Sequence, residues 1–227
     1  MPFDLPDHLA MMSRRVTSGE RDGQTTAVIN ASRVYPTDAT DLWDALTQPE
    51  RLSRWFLPIS GDLRQGGRYQ FKGNAGGSIE VCEPPKTIGA TWEYGGGVSW
   101  VTVRLTQEGG GTRMELEHEA VVEPYFMGHY GPGAVGVGWD QGFMGLARHL
   151  EDPSVFPASP DVDGWEKSAE ALAFFRTTSL AWGQAAAESG TPVDEAMVAA
   201  ERTRAFYSGE AAGAMGGEAG EGGGSSS

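Results

Sequence analysis

The polar side chain best placed to do chemistry is His118, which ends the alternating run Met114-Glu115-Leu116-Glu117-His118. Successive side chains of a strand point to opposite faces, so Met114, Leu116 and His118 share the apolar one. An imidazole facing a cavity serves as a general base or as a hydrogen-bond partner for a ligand. At the edge of a core it is a buried histidine with its partners in place. Arg33 shares a face with Ile29, Ala31 and Tyr35 and poses the same choice. An inward guanidinium must be paired or wet, so it meets a carboxylate of the protein or anchors an acidic group of a ligand.

Other reactive types lack the company that chemistry needs. Cys82 stands in an apolar strand context with no base beside it and reads as a core residue. No serine lies in a G-x-S-x-G elbow. Glu80 and Glu93 offer no matched pair for two-carboxylate catalysis. His8, His118, His129 and His149 have no metal-ligand spacing. Gly131-Pro132-Gly133-Ala134-Val135-Gly136 fits G-x-G-x-x-G and has Glu151 about twenty residues on. A dinucleotide site needs a strand before that motif and a parallel strand after its helix. Here the predicted helix ends at Glu151 with no strand behind it, so the glycines read as a loop at a cavity mouth. No catalytic residue, metal or cofactor is expected.

The bulk properties narrow the partners. A chain of 227 residues buries enough surface for a core with a cavity. Its net charge of −14 repels nucleic acid and anionic membranes. One cysteine forms no internal disulfide and suits a reducing cytosol. No apolar run is long enough to cross a bilayer, and the first residues lack the pattern of a secretory leader. A cytoplasmic protein is expected.

Patterning supplies the elements that hold these residues. Residues 1–23 form an extension that carries the first strand of a hairpin, turning at Asp22-Gly23 and returning through Gln24 to Tyr35. Two short helices follow, the first capped by Thr37 or Asp38 and the second started by Pro49. Strands are predicted over Gly67–Gly73, Gly77–Glu83, Thr87–Tyr94, Val98–Gln107 and Thr112–Val122, joined by glycine and proline turns that imply antiparallel neighbours. Alternation turns Tyr69 and Phe71, Ile88 to Tyr94, and Val101 to Leu105 to one apolar face, and Arg104, Arg113, Glu115, Glu117 and Glu119 to a wet one. A helix over Val137–Glu151, with Trp139, Phe143, Leu146 and Leu150 in a stripe, covers the apolar face. The class is α+β: a curved antiparallel sheet wrapped around a long C-terminal helix.

These elements carry a familiar set of motifs. Leu42-Trp43-Asp44-Ala45-Leu46-Thr47, Pro49-Glu50, Arg54-Trp55-Phe56, Gly66 to Phe71, Glu83-Pro84-Pro85, Gly111 to His118 and Gly138-Trp139 occur in a fixed order over residues 24–151. That ordered set resembles the SRPBCC (START-related, birch-pollen-allergen-like) superfamily, within it the bacterial relatives of the C-terminal domain of the 90-kDa heat-shock protein ATPase activator. The resemblance implies the helix-grip fold and a small hydrophobic or amphipathic ligand between sheet and helix. The binding residues expected there are Arg33, Trp55, Tyr69, Phe71, Trp92, His118, Trp139 and Phe143, with Tyr125, His129 and Tyr130 in an entrance loop. It also implies two alternatives, a cyclase or aromatase-like enzyme and a regulator of a chaperone ATPase.

Beyond residue 151 the composition shifts. Pro153, Pro157 and Pro160 mark a spacer, and residues up to 208 form a helical extension of two amphipathic helices, one with Trp165, Leu172, Phe175 and Trp182, the other with Val193, Met197, Ala200 and Tyr207. Their apolar stripes pack on the domain or make a homodimer contact. Residues 209–227, rich in Gly, Ala, Glu and Ser, are expected to be disordered.

Overall fold

A computed structural model describes residues 3–154 and 165–210. The spacer prolines Pro157 and Pro160 and the tail from residue 211 lie outside them. Eight antiparallel strands form one sheet: β1 (Ser13–Arg21), β2 (Gln24–Tyr35), β3 (Ile59–Gly61), β4 (Arg68–Phe71), β5 (Gly76–Glu83), β6 (Thr87–Tyr94), β7 (Gly97–Glu108) and β8 (Gly111–Val121). Their spatial order is β1-β2-β8-β7-β6-β5-β4-β3, so β2 pairs with the last strand rather than with β3. The excursion that sends β3 to the far edge contains helices α2 (Ala39–Thr47) and α3 (Pro49–Leu52).

Local chemistry sets the ends of these elements. Three hairpins close through Asp22-Gly23, Gly95-Gly96 and Gly109-Gly110, each pair with positive φ, the conformation that matches the twist of the flanking strands. Asp38 caps α2 by accepting from the amides of Thr40 and Asp41, while Thr37 donates to Asp41. Asp4 caps the N-terminal helix α1 (Leu5–Ala10), a start not evident from its sequence. Helix α5 (Gly133–Glu151) lies on the sheet and completes the grip.

The extension consists of a short 3-10 turn at Trp165–Lys167, α6 (Ala169–Glu188) and α7 (Val193–Tyr207). Phe175 and Trp182 of the expected stripe, with Phe174, are fully buried against the chain's own domain, whereas Leu172 departs from it and is exposed. Trp182 rests on Gly136 of α5 so closely that a Cβ there would stand 2.3 Å from the indole. The indole N–H donates to Asp140, which also accepts both bonds of the Arg14 Nε–H from β1. Thus one buried carboxylate ties α5, α6 and β1 together. The expected face of α7 is corrected: Val193 is exposed, and Ala196, Ala199, Ala200 and Thr203 are buried. Small side chains win because α6 and α7 approach closely, with Gly183 directly under Ala200.

Candidate functional site

Inward residues of the sheet, α2, α3 and α5 line a partly open chamber of about 450 Å³. Trp55, Tyr69, Phe71, Trp92, Trp139 and Phe143 line it, together with aliphatic side chains of β5 to β8. The lining donors turn away from the space. Tyr69 Oη donates to the carbonyl of Thr91 at 2.7 Å, Trp55 Nε1 to that of Ala45 at 2.9 Å and Thr47 Oγ1 to that of Trp43 at 2.8 Å. Burial raises the Tyr69 pKa well above the ordinary phenol value, so it stays protonated. What remains exposed to a ligand is mostly hydrocarbon and aromatic faces, with the Cys82 thiol and the Gln48 side chain among the lining.

A second chamber of about 470 Å³ lies on the other side of an aromatic wall. Trp55, Phe56, Trp92, Trp139 and Gly142 belong to both linings. Phe56 stacks on Trp139 with centroids 6.3 Å apart and planes within 8°, and Trp92 stands 5.0 Å from Trp139. His118 faces this outer chamber together with Asn74, Gln141, Arg148 and Glu166.

His118 is bonded at both nitrogens. Trp139 Nε1–H donates to Nδ1 at 2.9 Å, which makes Nδ1 the acceptor and leaves the proton on Nε2, 2.7 Å from Ser99 Oγ. The Ser99 hydroxyl in turn donates to the carbonyl of Trp92. The ring is therefore held neutral, and protonation would set an N–H against the indole N–H. Ser99 escaped sequence reasoning although alternation from Val101 and Val103 turns it inward.

Burial lowers the His118 pKa from 6.5 to about 4. Between those values the unfolded chain takes up a proton that the folded one refuses, so stability is lost as pH falls from 6.5 towards 4. Asp140 acts in the opposite sense, because burial lifts its pKa from 3.8 to about 6 and the folded chain binds that proton first. Comparison with His118→Phe separates the two. The substitution is expected to flatten the acid limb of a urea-melt series by up to about 3 kcal/mol, and an unchanged limb would exclude this assignment.

Arg33 lines neither chamber. Its guanidinium is buried beneath α1, donates to His8 Nδ1, reaches Met11 Sδ at 3.8 Å and sits 5.1 Å above the Tyr35 ring. Of the two partners weighed for it, a protein carboxylate is not among its bonded neighbours in the described residues and no chamber for a ligand's acidic group lies beside it; burial lowers its pKa. Arg33 Nε and His8 Nε2 are both buried without a partner. Removing both polar groups together therefore costs little. The double variant Arg33→Met/His8→Leu is expected to be as stable as the wild type or about 1 kcal/mol more so in a urea melt. A loss above about 2 kcal/mol would show that the pair is a net stabiliser.

Three further expectations are corrected. Tyr125, His129 and Tyr130 form no entrance loop; they lie in α4 (Pro124–Tyr130), whose first amides are capped by Glu123. None lines either chamber, and the carbonyl of Tyr130 accepts from Thr203 of α7. The glycines of the G-x-G-x-x-G pattern line neither chamber, although Gly131 and Gly133 border a small cavity of about 90 Å³ beside α6 and α7. Gly131 ends α4 at positive φ, and Gly133 and Gly136 lie inside α5 against Trp182 and Thr203. Tyr94 departs from its predicted apolar face at the strand end and is 65 % exposed. Among the described residues no group of three His, Cys, Asp or Glu side chains could hold a metal ion, and no helix is long and apolar enough to cross a membrane.

A curved antiparallel sheet closed by one long helix over an apolar chamber is the helix-grip architecture of the SRPBCC fold. Residues 36–151 match the family model described as Activator of Hsp90 ATPase homolog 1-like protein, and the chain belongs to that family. CalU16 from Micromonospora echinospora is similar over more than that segment. Its crystal structure is 30% identical, covering 77% of this chain and 97% of that one with a TM-score of 0.62. Its solution structure gives 28%, 79%, 97% and 0.64. A protein of unknown function from Enterococcus faecalis, EF2215, shares the fold at 15% identity, covering 82% of this chain and 95% of that one with a TM-score of 0.55. No curated protein is a significant match.

Proposed function

We propose that this protein binds a small hydrophobic or amphipathic molecule in the chamber between sheet and α5. The observation that carries the reading is a space of about 450 Å³ whose lining is predominantly apolar and in which the Tyr69, Trp55 and Thr47 donors are spent on backbone carbonyls. Its size falls within the range of small-molecule sites, roughly 300–1,000 Å³. Burial of ring surface would supply affinity, and the walls would select for flat shape. His118, with both nitrogens engaged, holds Trp139 in place, which favours binding over proton transfer. Regulation of a chaperone ATPase has only the family's description behind it.

The test is a fluorescence titration with N-phenylnaphthylamine, whose emission rises on leaving water, alongside native mass spectrometry of the protein from its own host. Saturable binding that protects Cys82, a lining residue and the chain's single cysteine, from alkylation is the expected result. Binding without protection of Cys82, or no saturable binding, would overturn the reading.

A further inference from the structure

The outer chamber differs from the inner one in chemistry while sharing its wall. Two half-buried side chains present polar groups without a partner among the described residues, Arg148 Nε and the Gln141 amide, and the exposed Asn74 adds its Nδ2 to the lining. Buried or half-buried donors of this kind are normally matched. Charge does not favour an ion there. Arg148 already pairs with Glu170 at 3.0 Å, and Glu166 faces the same space, so an added anion would meet carboxylates and an added cation a guanidinium. Uncharged oxygens suit these groups best, because a hydroxyl both accepts from Arg148, Gln141 or Asn74 and donates to Glu166.

The wall between the chambers is unequally held. Trp139 is pinned through its indole N–H to His118, and Trp55 through its own to the Ala45 carbonyl. Phe56 has no such anchor. It stands in the turn between α3 and β3 and faces Gly142 of α5, where even an added Cβ would be 3.8 Å from the ring. It can therefore rotate without breaking a hydrogen bond; Trp92, whose indole N–H also has no partner among the described residues, is instead packed against Phe71, His118 and Trp139.

We propose that the two chambers are halves of one site, whose ligand is an uncharged amphipathic molecule. Its planar apolar body lies in the inner chamber and its hydroxyl-bearing arm passes Phe56 into the outer one. The proposal rests on the binding reading above, and it adds that the polar end is recognised by Gln141, Arg148 and Asn74 rather than by Arg33.

A matched pair of probes tests it by isothermal titration. Naphthyl methyl ether supplies the body alone, and naphthyl glyceryl ether adds a two-hydroxyl arm to the same body. The glyceryl ether is expected to bind about tenfold more tightly, as one or two matched hydrogen bonds would give. Gln141→Leu and, separately, Arg148→Met are each expected to reduce that advantage, leaving the methyl ether unchanged, with melting temperature checking the fold of each variant. The proposal is overturned if the glyceryl ether binds no more tightly than the methyl ether, or if its advantage survives both substitutions; in either case binding of the methyl ether leaves the inner-chamber reading standing. Failure of both probes to bind overturns the two together.

Discussion

Replacing Asp140 by alanine is expected to destabilise the protein by about 3–5 kcal/mol, the usual cost of leaving one member of a buried ion pair alone. For a chain of this length that corresponds to a fall in melting temperature of roughly 10 °C. Asp140 is fully buried and Arg14 nearly so, with 9 % of its side chain exposed. Its two oxygens accept from Arg14 at 3.2 and 3.0 Å, and one also accepts from Trp182 at 2.9 Å. Alanine strands the guanidinium, whose Nη2 already lacks a partner, and leaves an indole N–H unpaired in the core. The effect should appear first as loosening of α6, seen as faster amide exchange there than in the sheet. Arg14→Met with Asp140→Leu removes the charges together and is expected to recover most of the loss. A single-variant effect below about 1 kcal/mol would show that α6 is held by its apolar contacts alone.

Ala90→Trp is expected to weaken N-phenylnaphthylamine binding at least a hundredfold, roughly 2.7 kcal/mol, while the protein stays folded. Ala90 lines the inner chamber from β6 and is packed against the core, so an indole there projects into existing space rather than into neighbours. Overpacking is costly where a core is full; here the added ring occupies the space and buries itself. The melting temperature should hold or rise, which separates a filled chamber from an unfolded one. Undiminished binding with the fold intact would place the probe outside the inner chamber.

Much of this fold was legible in the chain. Two-residue turns such as Asp22-Gly23 and Gly109-Gly110, alternation in β6 to β8 and the Trp139-Phe143-Leu146 stripe are local signals, read within a few residues. They placed Trp55, Tyr69, Phe71, Trp92, Trp139 and Phe143 near a common interior, and those six do line the inner chamber. Arg33 passed the same alternation test yet lies elsewhere. No residue of its strand lines either chamber; that face is covered by α1 at Arg33 and by α5 at Tyr35, a division that only the tertiary packing makes. Phe56 was visible as one aromatic among many, with no sign that it forms a wall between two spaces.

The polar residues show most clearly where reading along the chain stops. Asp140 follows the apolar face of α5 in sequence and belongs by pattern to solvent, yet it is completely buried because α6 covers the back of that helix. His118 was placed inward by alternation, but its proton was assigned by Trp139 and Ser99, 21 and 19 residues away. Period and turn chemistry act over one or two turns of chain, so the sequence by itself determined strand faces, helix stripes and the sheet that holds them. Partners of buried charges, the two chambers and the docking of the extension depend on which surfaces meet across 20 to 126 residues. That is decided by packing, where the cost of an unpaired polar group or an empty volume is set by neighbours that only the folded chain brings together.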